Sequence, residues 1–273
     1  MLSELDPRTT RITSRKCSMT VELTREGPYA MLTLNRPEAL NALSFEILGQ
    51  IREALDEAAK WDVRALIITG SGNKAFCAGA DIKELQGRSL SQQRSGLNAG
   101  QQTFAKLDQF PVPSIAALNG YTFGGGLELA LACTFRVASA NAKMGLPEVK
   151  LGLMPGYGGT QRLPRVVGQA RAMELILTGR TITAEEALGM GLINRLAETD
   201  ALSASITFAD QFSSHSKAAV SFARQAVERA WGSHLVDGLK IEADLATLAF
   251  QTADANEGMA AFVEKRPPQF EDR

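Results

Sequence analysis

The chain is poor in the residues from which many active sites are built. It has only two histidines, His215 and His234, and neither has a cysteine or carboxylate at metal-ligand spacing. A zinc centre or a histidine-based triad therefore has little to work with. The three cysteines, Cys17, Cys77 and Cys133, lie far apart and never form a CxxC arrangement, which suits unpaired thiols in a reducing compartment rather than a disulfide scaffold. An excess of one charge is missing too. A formal net charge of -1 leaves no global positive field for a polyanion, so no nucleic-acid partner is expected. No apolar run is long enough to span a bilayer, and no membrane partner is expected. Also absent are a Walker lysine motif, a GxSxG elbow and an HExxH motif, which removes the main support for NTPase, α/β-hydrolase and zincin readings.

What is present is an ordinary globular composition, 45% hydrophobic and 22% charged over 273 residues, enough for one sizeable core with a small appendage. Residues 1 to 18 carry Arg8, Arg11, Arg15 and Lys16 among Ser and Thr, a faint likeness to a matrix-targeting segment that Glu4 and Asp6 oppose. They are read as an extension, with Met19 an alternative start. A bacterial-type cytoplasmic location is the expectation, and the mitochondrial matrix is the alternative if the extension is a targeting segment.

Periodicity predicts an α/β core over residues 19–198. Val21 to Thr24 and Ala30 to Leu34 flank Glu26-Gly27-Pro28 as a hairpin. Ser44 caps a predicted helix through Trp61, with Ile47, Leu48, Ile51, Leu55 and Ala58 at helical spacing. Buried strands are predicted at Ala65 to Thr69, Ser114 to Leu118 and Phe135 to Ala138, with a helix from Leu127 to Cys133. From Gln161 onward the strand signal fades except at Leu192 to Leu196. Helices are expected over 200–213, 217–231, 235–252 and 257–264, which makes residues 199–273 a helical C-terminal region.

Four segments invite a chemical reading. Gly70-Ser71-Gly72-Asn73-Lys74-Ala75 follows a strand like a dinucleotide loop, but no helix opens inside it, so a nicotinamide site is not expected. In Cys77-Ala78-Gly79-Ala80-Asp81-Ile82-Lys83, small residues let a backbone approach a ligand, and Asp81 is placed to start a short helix. A plain surface turn explains that loop equally well when it is taken alone. In Asn119 to Leu129, a strand end, three glycines and a helix would bare unpaired N–H groups at a positive helix end, as an oxyanion site requires. Glu128 falls in that first turn, where an acidic residue is also favoured for dipole reasons alone. Met144-Gly145-Leu146-Pro147-Glu148 carries Glu148 on a stiff loop, where a lone glutamate is commonly just solvated.

Together, NRPEALNAL, AFCAGADIKEL, NGYTFGGGLELA, GLPEVKLGLMPGYGGTQRL, LTGR and EGMAAFVEKRPP resemble, in order and spacing, the enoyl-CoA hydratase/isomerase, or crotonase, family from about residue 20 onward. The likeness is greatest to an enoyl-CoA hydratase. It implies an α/β spiral of repeated ββα units with a helical C-terminal trimerisation region, assembled as a trimer or dimer of trimers. It implies an acyl-CoA thioester substrate and reversible syn hydration of a 2-trans-enoyl-CoA, in fatty-acid β-oxidation or a related pathway. No permanently bound cofactor and no metal are expected, since coenzyme A arrives as part of the substrate.

By the same resemblance, the N–H groups of Ala80 and Gly125 form the oxyanion hole, Glu128 mainly activates water, and Glu148 mainly supplies the α proton. The coenzyme A moiety would lie near Ala39, Ala78, Asp81, Ile82 and Lys83, with Lys265 and neighbouring Arg266 toward its 3'-phosphate. Phe123 and Tyr157 depart from the commonest hydratase pattern and leave the acyl chain length open. The nearest rivals are a Δ3,Δ2-enoyl-CoA isomerase, a dehydratase or a methylglutaconyl-type hydratase. An isomerase relies on one principal carboxylate, so retention of both glutamates favours water addition. A noncatalytic or RNA-binding relative predicts a lost glutamate or a basic stripe, and neither is seen.

Overall fold

A computed structural model describes residues 20–272; the 1 to 18 extension and Cys17 lie outside it. The hairpin forms as expected. Strand β1 (Val21–Glu26) pairs antiparallel with β2 (Tyr29–Leu34) around Gly27, whose φ of 57° suits the turn. Helix α1 (Phe45–Ala58) starts where the Ser44 hydroxyl accepts the Ile47 N–H, and it stops three residues before Trp61. The chain then runs β3 (Ala65–Gly70), β4 (Ala75–Cys77), the short α2 (Ile82–Leu85) and α3 (Leu90–Asp108). It continues through β5 (Ser114–Leu118), β6 (Tyr121–Phe123), α4 (Gly125–Ala132), β7 (Phe135–Ser139) and β8 (Lys143–Gly145).

Strand, short strand, helix therefore recurs three times: β3-β4-α2/α3, β5-β6-α4, then β7-β8 followed by a 3-10 turn at Glu148–Leu151 and α5 (Gly159–Val167). The first strand of each unit joins a six-stranded sheet, and the second joins a four-stranded one. Beyond α5 come α6 (Gln169–Thr178), β9 (Ile182–Thr183), α7 (Ala184–Gly189) and β10 (Arg195–Ala197). The large sheet has the order β1-β2-β3-β5-β7-β10, parallel except for the opening hairpin, and the small one has β4-β6-β8-β9. Last come α8 (Ala201–Ser213), α9 (Lys217–Arg229), α10 (Leu235–Phe250) and α11 (Ala253–Glu264).

Alternation along the parallel strands feeds two apolar layers. Leu66, Ile68, Ala116, Leu118 and Ala138 face the main core with α1 and α4. Ala65, Ile67, Ile115, Ala117 and Val137 face Ala201 and Ala209 of α8. Each fully buried Leu or Ile side chain is worth ~1.5 to 3 kcal/mol over exposure, which is why these strands read as continuous apolar runs.

Other expected bounds shift as well. The 192–196 strand shrinks to Arg195–Ala197, because Leu192 and Asn194 are taken up by the buried Arg136: its guanidinium donates to the Leu192 carbonyl at 2.7 Å, and the Arg136 N–H donates to the Asn194 side chain at 2.9 Å. Helix α11 begins four residues before 257, at a Thr252 hydroxyl cap that accepts the Ala255 N–H.

Candidate active site

The first loop of the site is built by Asn41. It sits at φ 57°, buried, with its side-chain carbonyl accepting the Arg36 N–H at 2.9 Å and its amide donating to the carbonyls of Ser71 and Ala75. This ties the turn before α1 to the chain entering β4. Leu43 then pairs with the 79–81 segment: Leu43 N–H donates to Gly79 O, and Asp81 N–H donates to Leu43 O, both at 2.8 Å. Since backbone groups alternate sides along an extended segment, the N–H of Ala80 between them points the other way. It has no hydrogen-bond partner among the described residues. Asp81 caps α2 through the Lys83 N–H and is held ionised by Arg36 at 2.9 Å, which keeps its carboxyl below the usual range.

The second loop meets the first at Gly79. A Cβ there would lie 3.0 Å from the Phe123 carbonyl oxygen and 3.6 Å from the Gly125 nitrogen, and φ is +106°. Gly124 follows at φ 51°, ψ -126°, a conformation that L side chains rarely adopt, and turns the chain into α4. Helix α4 sits so close to β4 that a Cβ on Gly126 would be 2.2 Å from the Cys77 carbonyl oxygen. The Gly125 N–H, at the helix start, is likewise without a partner among the described residues. Two unpaired amides, Ala80 and Gly125, thus flank one contact between two glycine turns.

The glutamates differ from the surface groups that each resembled alone. Glu128 is only 2% exposed, and its Oε1 accepts the N–H of Tyr157 at 2.8 Å and of Gly159 at 2.7 Å. Burial raises its pKa, and those amides oppose the rise by stabilising the carboxylate. Glu148, half-buried at the start of the 3-10 turn after Pro147, has its pKa raised to about 7, by burial first and by the Glu128 charge as a lesser cause. Its Oε2 is buried without a hydrogen-bond partner, and its Oε1 stands 3.1 Å from where a Gly124 Cβ would be. Burial thus raises both carboxyls, but only Glu128 has backbone amides that favour its carboxylate, and Glu148 is left to hold a proton near neutrality.

Ala39, Ala78, Asp81, Ile82 and Lys83 fall on one surface beside the first loop: Ala78 N–H donates to Leu40 O, next to Ala39, and Ile82 and Lys83 are exposed. Lys265 does not join them by any hydrogen bond or ion pair among the described residues. It caps the end of α11, while Arg266 is held by Glu257 and Glu264 at 2.6 Å each. Of the two aromatics, Phe123 stacks on Tyr121 at 5.8 Å, whereas the Tyr157 ring lies against Gly125. The amides of Tyr157 and Gly159 were not anticipated as Glu128 partners. Their signal was a third glycine run ahead of a helix. Among the described residues no group of three or more His, Cys, Asp or Glu could hold a metal ion.

Known proteins are similar to the chain over most of its length. A family described as "Enoyl-CoA hydratase/isomerase" matches residues 25–273. A probable enoyl-CoA hydratase of Mycobacterium bovis is 45% identical over 93% of this chain and 98% of its own length. A crotonyl-CoA hydratase of Syntrophomonas wolfei is 42% identical over 91% of this chain and 96% of its own. The crystal structure of an enoyl-CoA hydratase from Bacillus anthracis superposes with a TM-score of 0.89 at 37% identity, covering 93% of this chain and all of that one. Sequence and fold agree: the chain belongs to the enoyl-CoA hydratase/isomerase family.

Proposed function

We propose that the protein is an enoyl-CoA hydratase that adds water across the double bond of a 2-trans-enoyl thioester. The observation that carries this reading is a pair of glutamates, one accepting two backbone amides and the other with a partnerless buried oxygen and a pKa raised to about 7, beside the unpaired amides of Ala80 and Gly125. The thioester oxygen accepts from those two N–H groups as negative charge develops on it. In other acyl enzymes the loss of one such donor costs ~2.7 to 4 kcal/mol. Ionised Glu128 takes a proton from water while the water oxygen bonds to the β-carbon. The alkene electron pair moves toward the thioester as an enolate, and protonated Glu148 delivers its proton to the α-carbon. Both carboxyls act from one side, which makes the addition syn, and proton return between them through solvent restores the starting state.

Coenzyme A enters only as the carrier on the substrate, and no resident cofactor or metal is required. Its pantetheine and adenine run along Ala39, Ala78, Asp81, Ile82 and Lys83, and Lys265 meets the 3'-phosphate from a neighbouring subunit. Support for a neighbour comes from the apolar residues exposed on α9 to α11, among them Val227, Leu235 and Phe262. A trimer or dimer of trimers, working in the bacterial-type cytoplasm, completes the reading.

The test is hydration of crotonyl-CoA, followed by loss of the ultraviolet absorbance of the conjugated thioester. Glu128→Gln and Glu148→Gln are each expected to lose ~10² to 10⁴ in turnover, the usual worth of a positioned acid or base. Hydration by both variants at the parent rate would overturn the mechanism.

A further inference from the structure

Tyr157 is wedged between two helices that both lack a side chain where it stands. On α3, a Cβ at Gly100 would lie 2.3 Å from the ring Cδ1 and 2.4 Å from Cε1. On α4, a Cβ at Gly125 would lie 3.2 Å from Cδ2 and 3.4 Å from Cε2. One ring edge therefore occupies the notch at Gly100, and the other borders the residue whose N–H faces the thioester oxygen. Phe104 closes on the ring edge-on, with centroids 5.7 Å apart and planes at 80°.

The backbone around the ring is pinned on both sides. Before it, the Gln101 side chain donates to Gly156 O at 2.8 Å, and Leu97 of α3 stands 2.5 Å from where a Gly156 Cβ would be. The Tyr157 N–H is committed to Glu128, and its carbonyl accepts from Arg162. The ring is 5% exposed and has no room to swing without dislodging α3.

We infer that Tyr157, seated on Gly100, closes the acyl pocket beyond the reacting carbons and restricts the enzyme to short-chain enoyl thioesters. This rests on the hydratase reading above. With the thioester oxygen between Ala80 and Gly125 and the β-carbon at the glutamates, the acyl tail leads toward the turn whose amides hold Glu128. That turn presents the Tyr157 ring. A crotonyl group ends before it, and a chain several methylenes longer meets it.

The experiment compares kcat/KM for crotonyl-CoA and decenoyl-CoA in the parent, in Tyr157→Ala and in Tyr157→Leu, the latter a smaller apolar residue that keeps the pocket lined. It also compares butyryl-CoA with decanoyl-CoA as competing ligands in the same proteins. The parent is expected to favour the C4 substrate. Truncation should raise the decenoyl-to-crotonyl ratio by about 10-fold or more, since one methylene in an apolar pocket is commonly worth ~10 to 200-fold. Decanoyl-CoA should gain affinity by a similar factor. Adding Gly100→Phe to Tyr157→Ala refills the notch and should push the ratio back. If both Tyr157 variants keep the parent's ratio and the parent's ligand order, the inference is wrong. A parent that hydrates no straight-chain enoyl-CoA would instead defeat the hydratase reading itself.

Discussion

Glu128 and Glu148 carry the same functional group and are both pushed toward the neutral form by burial, yet their hydrogen-bond surroundings differ. Two backbone amides favour the carboxylate of Glu128, while Glu148 has a buried oxygen without a partner and a pKa near 7. If Glu148 must be protonated to deliver the α proton, kcat/KM falls as pH rises through about 7, approaching tenfold per unit above it. The low-pH limb belongs to the base, and because the carboxyls interact, both apparent values describe the pair. Residual activity of Glu148→Gln should lose the high-pH limb, as a pH–rate profile would show.

The same shift has a signed effect on stability. The folded-state value lies above the ordinary 4.5, so the native protein binds more protons than the unfolded chain between about 4.5 and about 7. The stability Glu148 contributes is present below that window and is lost as pH rises through it. Glu148→Gln removes the loss. Its Tm should exceed the parent's at about pH 8 and converge on it near about pH 5, shifting by roughly 2 to 4 °C for each kcal/mol regained. A thermal melt at the two pH values checks the sign, and a variant less stable than the parent at the higher pH would contradict it.

At the scale of elements, the site is a junction of two turns that only glycine can make. Gly124→Ala puts a side chain at φ 51°, ψ -126° and a Cβ 3.1 Å from Glu148 Oε1. Strain of that kind costs ~1 to 3 kcal/mol. Its relief by rotating the turn would misaim the Gly125 N–H. The expected outcome is a folded protein by circular dichroism with turnover down ~10² to 10³, the cost of a lost oxyanion donor. Full turnover in a folded Gly124→Ala protein would show that this turn does not aim a donor.

These turns were visible in the sequence because glycine runs and a Pro-Glu pair are strong local signals, and so were the buried strands, whose two covered faces make continuous apolar runs. Helix α3 was not, for a reason that also explains Tyr157. Its buried face is Gly96, Gly100, Thr103, Phe104 and Leu107, so the positions turned to the core are largely small, and hydrophobic periodicity almost vanishes. Short strands such as β8 and β9 escape because a three- or two-residue pairing has no period to detect. The partners of Glu128 lie about thirty positions away in sequence, and only folding brings them together.

For the whole molecule, the C-terminal helices hold the unresolved balance of apolar surface. Trp231 is 66% exposed, Leu235 78% and Phe262 86%, with Val227, Val236, Phe250 and Val263 also bare. Apolar side chains in such number fit the proposed contact surface better than ordinary scatter. Buried Asp254 at the start of α11 accepts the N–H groups of Glu271 and Asp272, and Asp272 in turn bonds Arg64 and the Lys217 N–H. Residues 271–272 are thereby fastened to α11, to Arg64 just before β3 and to the start of α9. An isologous or cyclic partner offering the same surface would bury it, and stability would then depend on protomer concentration. Light scattering should give a multiple of the 29.3 kDa chain mass. Phe262→Asp places a charge where a partner packs, so it should shift that mass downward, lower Tm, and make Tm rise with protein concentration more steeply than in the parent. If Lys265 reaches coenzyme A only across such a boundary, the same variant should raise KM for crotonyl-CoA although the glutamates and both glycine turns are untouched. A monomeric parent with unaltered KM in Phe262→Asp would remove the neighbouring subunit from the site.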